Sequence, residues 1–484
     1  MGEMYISTIT RMILSFFNHS GVNATGVKVS EIPNSTQFLI KITTVLDFTQ
    51  RLNDTFLDYF RDNNWENWEK EPNSAEFYLV EDGIEGKIDL KDLIQWNEKS
   101  KLKGTKKPDD VTFILKRLNE HGYSAYVVGG CVRDASMSRD PHDWDITTSA
   151  KPDQVEQVFS DHKIIETGLQ HGTVTVMRNG EGYEITTYRI DGDYSDGRHP
   201  DEVAFTGDVV EDLKRRDFTM NAIALDDSGE VVDPFDGCSD IYSKTVRCVG
   251  SPIDRFNEDA LRIMRAIRFA AVFDFTIDEY TKEAIFKLYR NLSKVSKERI
   301  NAELTKIAKS PHLSDSLDEY QEVFAFVLGI DGWNSPRKVE NEDIITKFAY
   351  MFRNAEDAER VMNDLKFDGE TRDKVIELVR AKKTYTVKEN DRVDIKLMLN
   401  LFGEEQLQRL AIIQGKDITE TLNKVRDDCY TIKGLAIDGN DVMALGYSGK
   451  EVGLILKEVL TAVIYERVEN NKGDLLELVK NYKG

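Results

Sequence analysis

The sequence predicts an α+β fold, in which a β-rich segment bearing a pair of carboxylates is followed by a long helical remainder. Three observations predict it. The stretch from Tyr126 to Thr148 joins an apolar run, Tyr126 to Val128, to Gly129-Gly130 and then to Asp143 and Asp145, which flank a Trp and lead into Ile146-Thr147-Thr148. Residues 171 to 189 show β-branched alternation on both sides of Asn179-Gly180, a strong signal for a two-residue hairpin. From Asn257 onward the chain is mainly helix-patterned, with breaks around Lys309 to His312, Asp331 to Arg337 and Asp438 to Asp441.

At 484 residues the chain is too long for one core, and length suggests roughly three domains. Charged residues at 31% and hydrophobic residues at 40% are ordinary for a globular protein. The apolar start is interrupted by Arg11 and has no basic lead or small-residue cleavage site, so no secretory signal is expected. Ile6 stands where myristoylation wants Ser or Thr, and no later run approaches a membrane span. Cys131, Cys238, Cys248 and Cys429 lack any CxxC spacing and read as reduced thiols of a cytoplasmic protein. All seven histidines lie at or before His312, which excludes a histidine-aspartate phosphohydrolase domain from the C-terminal third. A net charge of -22 confines any nucleic-acid binding to local basic patches.

In chain order, residues 1 to 105 form an extension of unknown role. Phe38 to Ile40 and Ile42 to Val45 hint at a strand there, and Leu52 to Trp68 has roughly helical spacing. Lys99 to Pro108 is basic and contains Gly and Pro, which reads as a linker. Val111, Ile114, Leu115 and Leu118 then predict a helix over 110–122 that stops at Gly122. Lys151 to Phe159 reads as a short helix begun by Pro152, and 191–200 as a loop. A helix is expected from near Asp208 through Leu213 to Asn221, then a turn at Asp233 to Gly237. Over Asn257 to Phe269 one helix is expected, with Leu261, Met264 and Ile267 on one face and Arg262, Arg265 and Arg268 on the next.

Gly129-Gly130 lacks the G-x-G-x-x-G spacing of a dinucleotide fingerprint. Two readings are evenly matched: a tight strand-to-helix turn, or a place where bare backbone N–H groups and a helix N-terminus approach a triphosphate. On a strand, Asp143 and Asp145 project from one side and offer hard oxygen ligands to divalent cations. Alone, such a D-x-D is usually a solvated strand edge, and Glu184 alone a surface residue. Together, three acids on neighbouring strands repel unless cations occupy the gap. Two Mg²⁺ ions there would activate a 3′-hydroxyl and stabilise the charge on the α-phosphate and pyrophosphate.

Seven segments now stand in order: GGCVRD (129–134), DWDITTSA (143–150), HGTVTV (171–176), EITTYR (184–189), RRDFTMNAIA (215–224), DPFDG (233–237) and EDALRIMRAIRFA (258–270). This ordered set resembles the class II tRNA nucleotidyltransferase and bacterial poly(A) polymerase family, strongly over 108–310 and weakly to 484. The resemblance implies a small mixed-sheet, polymerase-β-like catalytic head over 106–230 and a neck with a nucleotide-selecting helix over 231–300. A helical body over 301–430 and a tRNA-binding tail over 431–484 follow. It implies Asp143 and Asp145 as metal ligands, with Glu184 as a third catalytic acid. Gly129, Gly130, Arg133, Arg216, Asp217, Asn221, Asp259, Arg262 and Arg265 would meet the nucleotide. The implied cofactor is Mg²⁺, two ions, and the implied partners are CTP, ATP and the tRNA acceptor arm with its 3′ end.

Base selection has a physical rationale. Cytosine and adenine each present an exocyclic amino donor beside a ring-nitrogen acceptor, whereas uracil and guanine present a carbonyl and a ring N–H. An Asp that only accepts and an Arg that only donates satisfy the first pair. On one helix Asp259 and Arg262, at i and i+3, share a face. Without the upstream motifs the same pair reads as an intrahelical ion pair.

Within the family, TGLQHGTVTV (167–176) is similar to CCA-adding members. The loop DGDYSDGRHPDEVAF (191–205), with Asp191, Tyr194, Asp196 and Arg198, resembles the flexible loop of members that add the terminal A. Residues 434–456 are similar to a pattern near the end of bacterial CCA-adding enzymes, and Ser448-Gly449 there is placed to open a helix. The reading is therefore CCA addition to tRNA. Poly(A) polymerase, or an A-adding member, is the alternative, and a catalytically retired RNA-binding protein the rival from another class.

Overall fold

The computed structural model describes residues 24–31, 37–44, 76–80, 83–89, 102, 105–141, 143–166, 168, 172–192 and 203–482. The helical reading of Leu52 to Trp68 lies outside them. The chain divides into two compact units, Met1–Asn291 and Leu292–Gly484.

In the first unit, β1 (Ala24–Glu31), β2 (Gln37–Thr44), β3 (Glu76–Val80) and β4 (Gly83–Asp89) form an antiparallel sheet in the order β1-β2-β4-β3. The strand read at residues 38–45 is β2. Next come α1 (Asp109–Glu120), β5 (Ala125–Val128), α2 (Gly130–Ser136), β6 (Ile146–Thr148), α3 (Pro152–Val158), β7 (Lys163–Ile165), β8 (Thr173–Arg178) and β9 (Glu181–Thr187). The helix α1 buries the four apolar residues that predicted it, Val111, Ile114, Leu115 and Leu118. Asn179 and Gly180 both take positive φ, 50° and 88°, the geometry of the expected two-residue turn between β8 and β9.

A ribbon of β10 (Arg189–Asp191) and β11 (Val203–Phe205) leads to α4 (Val209–Lys214), then to β12 (Ala224–Leu225) and β13 (Val231–Val232). The main sheet runs β13-β12-β5-β6-β9-β8-β7. Its pairs are antiparallel except β6 with β9, so the sheet is mixed, as predicted. Completing the unit are α5 (Gly237–Tyr242), β14 (Thr245–Val246), α6 (Pro252–Glu258), α7 (Leu261–Phe273), β15 (Thr276–Ile277) and α8 (Glu279–Leu288).

Two helices differ from expectation. The one predicted from Asp208 to Asn221 begins where expected, with the Asp208 side chain accepting from Val210 N at 2.8 Å, but ends at Lys214. Beyond it the backbone pairs elsewhere: Val249 N donates to Asp217 O, and Thr219 N to Arg247 O. Only Thr219–Asn221 returns to a helical turn, of 3-10 type. The helix predicted over Asn257 to Phe269 is broken at Asp259, whose φ of -144° and ψ of 104° are extended. Its carboxylate accepts from Leu261 N at 3.0 Å, as an N-cap does, so α7 starts afresh.

The second unit is helical throughout its regular elements. These are α9 (Lys297–Lys309), α10 (Leu313–Glu319), α11 (Gln321–Leu328), α12 (Ile344–Met351), α13 (Ala355–Asp364), α14 (Gly369–Thr384), α15 (Arg392–Ile413), α16 (Thr419–Val425), α17 (Gly439–Met443), α18 (Lys450–Ile464) and α19 (Lys472–Lys480). Asp343, Asn354, Asp368, Asp391 and Asn471 cap helix starts with their side chains. Gly449, at φ 61°, precedes α18 where an opening was expected. Ile455, Val459 and Leu460 of α18 pack with Val442 and Leu475 in one apolar cluster.

Candidate active site

Asp143 and Asp145 lie on the extended approach to β6, not within it as the sequence suggested. Val128 N nonetheless donates to Asp145 O at 3.0 Å, which prolongs the β5–β6 pairing past the strand's first residue. As whole residues both are exposed, but the Asp145 carboxyl itself is partly shielded from water. Loss of surrounding water raises the Asp145 carboxyl above its ordinary pKa, Arg216 opposes the rise and Asp143 adds to it. A cation between two such like charges would relieve their repulsion.

Glu184 stands on β9, opposite Thr175 of β8, and is exposed. Ile146 pairs with Ile185 in the parallel ladder, so Asp145 and Glu184 each immediately precede a paired, fully buried isoleucine. Among the described residues no three His, Cys, Asp or Glu side chains gather closely enough to hold a metal ion. The residues that would hold a metal ion here are the Asp143–Asp145 pair. Mg²⁺ fits such a set, because it is commonly held by one or two carboxylates and completes its shell with water and substrate phosphates.

Gly129 shows why that position has no side chain. Its φ is 81°, and a Cβ there would lie 3.0 Å from Arg216 Nη1 and 4.0 Å from Asp145 Oδ2. Backbone, guanidinium and carboxylate therefore meet at one point, with Gly130 opening α2 directly behind. Arg216 is held from the other side by Asp212, whose side chain is fully buried. Asp212 Oδ2 accepts from Arg216 Nη2 at 3.4 Å, and its Oδ1 from Arg215 Nη2 at 2.8 Å. Burial pushes the Asp212 carboxyl up, but the two guanidiniums outweigh it and hold it below the usual range.

A second network uses the remaining expected residues. Arg133 Nη1 donates to Asn221 Oδ1 at 2.7 Å, and Asn221 Nδ2 donates to Asp217 Oδ1 at 3.0 Å. The other Asp217 oxygen accepts from Arg265 Nε at 2.7 Å. Arg133 also lies over the rings of Phe269 and Phe273, 5.3 and 4.7 Å from their centroids. Burial would raise the Asp217 carboxyl, yet Arg265, Asn221 and Arg262 lower it to about 2. Arg133, Asn221, Asp217 and Arg265 are thus one hydrogen-bonded set joining α2, the 3-10 turn and α7.

Asp259 and Arg262 do not share a helix, because the break falls at Asp259. Arg262 Nη1 donates to Glu258 Oε2 at 2.5 Å and to Arg255 O at 3.1 Å, and its Nη2 to Arg215 O at 3.3 Å. Of the loop residues, Asp191 lies in β10, its carboxylate 2.9 Å from Arg189 Nε and 3.6 Å from Arg215 Nη1. Tyr194, Asp196 and Arg198 lie outside the described residues. Sequence reasoning missed Asp212, Arg215, Phe269 and Phe273. The spacing of Asp212 to Arg215 and Arg216, i+3 and i+4 on a predicted helix, was an available signal.

A mixed sheet presenting adjacent carboxylates beside a glycine turn and a half-buried arginine, ahead of a helical unit, fits a nucleotidyltransferase, the class that the family models name. Residues 125–247 match the poly A polymerase head domain, 274–323 the RNA and SrmB-binding site of polymerase A, and 338–479 tRNA nucleotidyltransferase domain 2. The CCA-adding enzyme of Lactobacillus delbrueckii subsp. bulgaricus is 36% identical over 388 residues, which span 76% of this chain and 96% of that relative. The CCA-adding enzyme of Lactobacillus gasseri is 37% identical over 398 residues, spanning 76% and 95%. Among solved structures, the Bacillus stearothermophilus CCA-adding enzyme in complex with CTP superposes with a TM-score of 0.65 at 29% identity, covering 77% of this chain and 97% of that one. The Thermotoga maritima CCA-adding enzyme complexed with tRNA shares the fold, with a TM-score of 0.60 at 20% identity, covering 78% and 97%. The chain belongs to the CCA-adding enzyme family.

Proposed function

We propose that the chain adds C, C and A, from CTP and ATP, to the 3′ end of tRNA with release of pyrophosphate. The observation that carries this reading is the meeting of Asp145, Arg216 and the bare Gly129 backbone beside Asp143, in a chain of this family. Asp143 and Asp145 would hold Mg²⁺, with Glu184 near them on the sheet. Bound there, Mg²⁺ would supply activation of the tRNA 3′-hydroxyl and neutralisation of charge on the triphosphate. Gly129 and Gly130 leave room for phosphate oxygens at the N-terminus of α2, and Arg216 supplies a fixed positive charge beside them.

Asp259 and Arg262 select the base. Arg262 exchanges its Glu258 partner for a ring nitrogen, and Asp259 leaves Leu261 N to accept from the exocyclic amine. Uracil and guanine reverse both contacts, and each mispaired charged group costs on the order of 1–3 kcal/mol. Arg133, Asp217, Asn221 and Arg265 position ribose and phosphates through their shared network. The segments 106–230, 231–300, 301–430 and 431–484 act as head, neck, body and tail, the last three gripping the acceptor arm by shape and backbone. Among the described residues no helix is long and apolar enough to cross a membrane.

Purified protein is incubated with tRNA ending before, within and after CC, with CTP and ATP separately. CTP incorporation on the first two and ATP incorporation on tRNA ending in CC is the expected pattern. Long A tails on a generic RNA with ATP alone would establish poly(A) synthesis instead. No incorporation by the wild type would favour a retired RNA-binding protein, and unchanged incorporation by Asp143→Ala and Asp145→Ala would refute the metal assignment.

A further inference from the structure

The RRD segment contributes Arg216 to the site, but the carboxylate that holds this arginine in place has no role in the mechanism above. Asp212 is fully buried and receives groups from four directions. Its Oδ1 accepts from Arg215 Nε at 3.0 Å and Nη2 at 2.8 Å, and from the Arg189 backbone N at 3.3 Å. Its Oδ2 accepts from Arg216 Nη2 at 3.4 Å and lies 3.4 Å from Thr147 Oγ1, on the strand two residues past Asp145. Arg215 in turn reaches the Asp191 carboxylate in the β10–β11 ribbon.

We propose that Asp212 is a positioning residue that keeps the Arg216 guanidinium off the metal carboxylates while holding Arg215 against Asp191 of the β10–β11 ribbon. The claim rests on the metal assignment to Asp143 and Asp145. The physical argument is charge placement. Arg216 Nη1 lies 3.0 Å from the point where a Gly129 Cβ would sit, and Asp145 Oδ2 lies 4.0 Å from that same point, so the guanidinium and the carboxylate border the same small space and feel one another's charge. Arg216 Nε is buried and has no hydrogen-bond partner, so Asp212 and Asp145 are the anions competing for this side chain. With Asp212 neutral, the cation loses the closer anion and turns to Asp145. It then occupies, as an internal counter-ion, the place that Mg²⁺ needs. With Asp212 charged, Arg216 is shared, and the Asp143–Asp145 pair keeps a net negative charge for the metal.

The test reads metal binding without turnover. Mn²⁺ is titrated into the nucleotide-free full-length protein, and free Mn²⁺ is followed by its electron paramagnetic resonance signal. Asp212→Asn is expected to weaken binding about tenfold, a coupling of the size found between charged neighbours. The double variant Asp212→Asn/Arg216→Gln removes the freed cation and is expected to bind at least as tightly as the wild type, a rescue that general structural damage would not give. Unchanged binding in Asp212→Asn, or no rescue in the double variant, overturns the proposal. Should Asp212→Asn fail to fold, Arg216→Gln alone, which removes the cation, replaces it. It is expected to bind Mn²⁺ at least as tightly as the wild type, and weaker binding there overturns the proposal equally. If Asp143→Ala/Asp145→Ala retains the Mn²⁺ site, the metal assignment itself has failed, which is a different result.

Discussion

Asp217→Asn is the perturbation whose size the structure fixes best. The carboxylate is nearly buried and takes two charge-assisted bonds from Arg265, one from Asn221 Nδ2 and one from Phe218 N. Its pKa falls from 3.8 to about 2 because Arg265, Asn221 and Arg262 outweigh the burial that would raise it. A depression of this size corresponds to about 2 kcal/mol of stability at neutral pH. Breaking a fully buried ion pair costs about 3–5 kcal/mol, because the surviving charge is stranded. Here Arg265 keeps 33% of its side-chain surface in water, so the smaller figure applies. The sign follows from the depressed pKa: the contribution is complete above the unfolded-state pKa and is lost as pH falls through the folded-state value. The gap between wild type and variant should be about 2 kcal/mol at pH 7 and about half that at pH 3. Hydrogen exchange in peptides spanning 210–225, measured across a urea series, reports the stability of the first unit at both pH values. A gap that stays constant from pH 7 to pH 3, or one below about 0.5 kcal/mol at pH 7, would refute the reasoning.

Gly129→Ala places a side chain at φ 81° and 3.0 Å from Arg216 Nη1. Nucleotide incorporation should fall at least about tenfold, with a stability loss of about 1–2 kcal/mol, as thermal unfolding would record. Gly237→Ala drives a Cβ to 2.2 Å from Thr219 O, beneath the turn that carries Asn221, and a backbone atom cannot step aside. A loss of about 3 kcal/mol or more is expected, visible as a lowered melting temperature of the full chain. In the second unit, Lys347 is buried and donates to Ala308 O at 2.8 Å and Ser310 O at 3.1 Å, closing the end of α9. Lys347→Met should strand both carbonyls and cost about 1–3 kcal/mol, seen as faster exchange in peptides covering 297–313 while peptides 109–136 stay unchanged.

What the sequence disclosed and what it hid divide along one physical line. The face of α1, the Asn179-Gly180 turn, the start of α4 at Asp208 and the opening before α18 are set by residues within a turn or two of one another. Local chemistry decides them, and all four were legible. The features that were hidden depend on partners far along the chain. Residues 217 to 219 leave the helical path because residues 247 to 249 accept and donate to their backbone. The helical period runs unbroken through Glu258 to Arg268, so nothing in it marks the stop at Asp259. That stop shows only in the carboxylate turned onto Leu261 N. The D-x-D was placed in β6 because alternation cannot tell a strand from the extended segment that feeds it.

The same line runs through the site. The residues expected at the nucleotide were identifiable by type and order, but not which of them would bind one another. The sequence pairs Arg262 with Asp259, three residues upstream, whereas it bonds Glu258, four residues upstream, because the break at Asp259 removes that residue from the helical register. Asp212 reads in sequence as one more acid on an amphipathic, solvated helix. Only the fold buries it completely against Thr147, Arg189, Arg215 and Arg216. Burial turns a charge worth a few tenths of a kcal/mol on a helix surface into one whose loss would redirect a neighbouring cation. Acids that precede paired arginines at i+3 and i+4, on a short helix next to a carboxylate site, are therefore the ones to examine first for control of that site's charge.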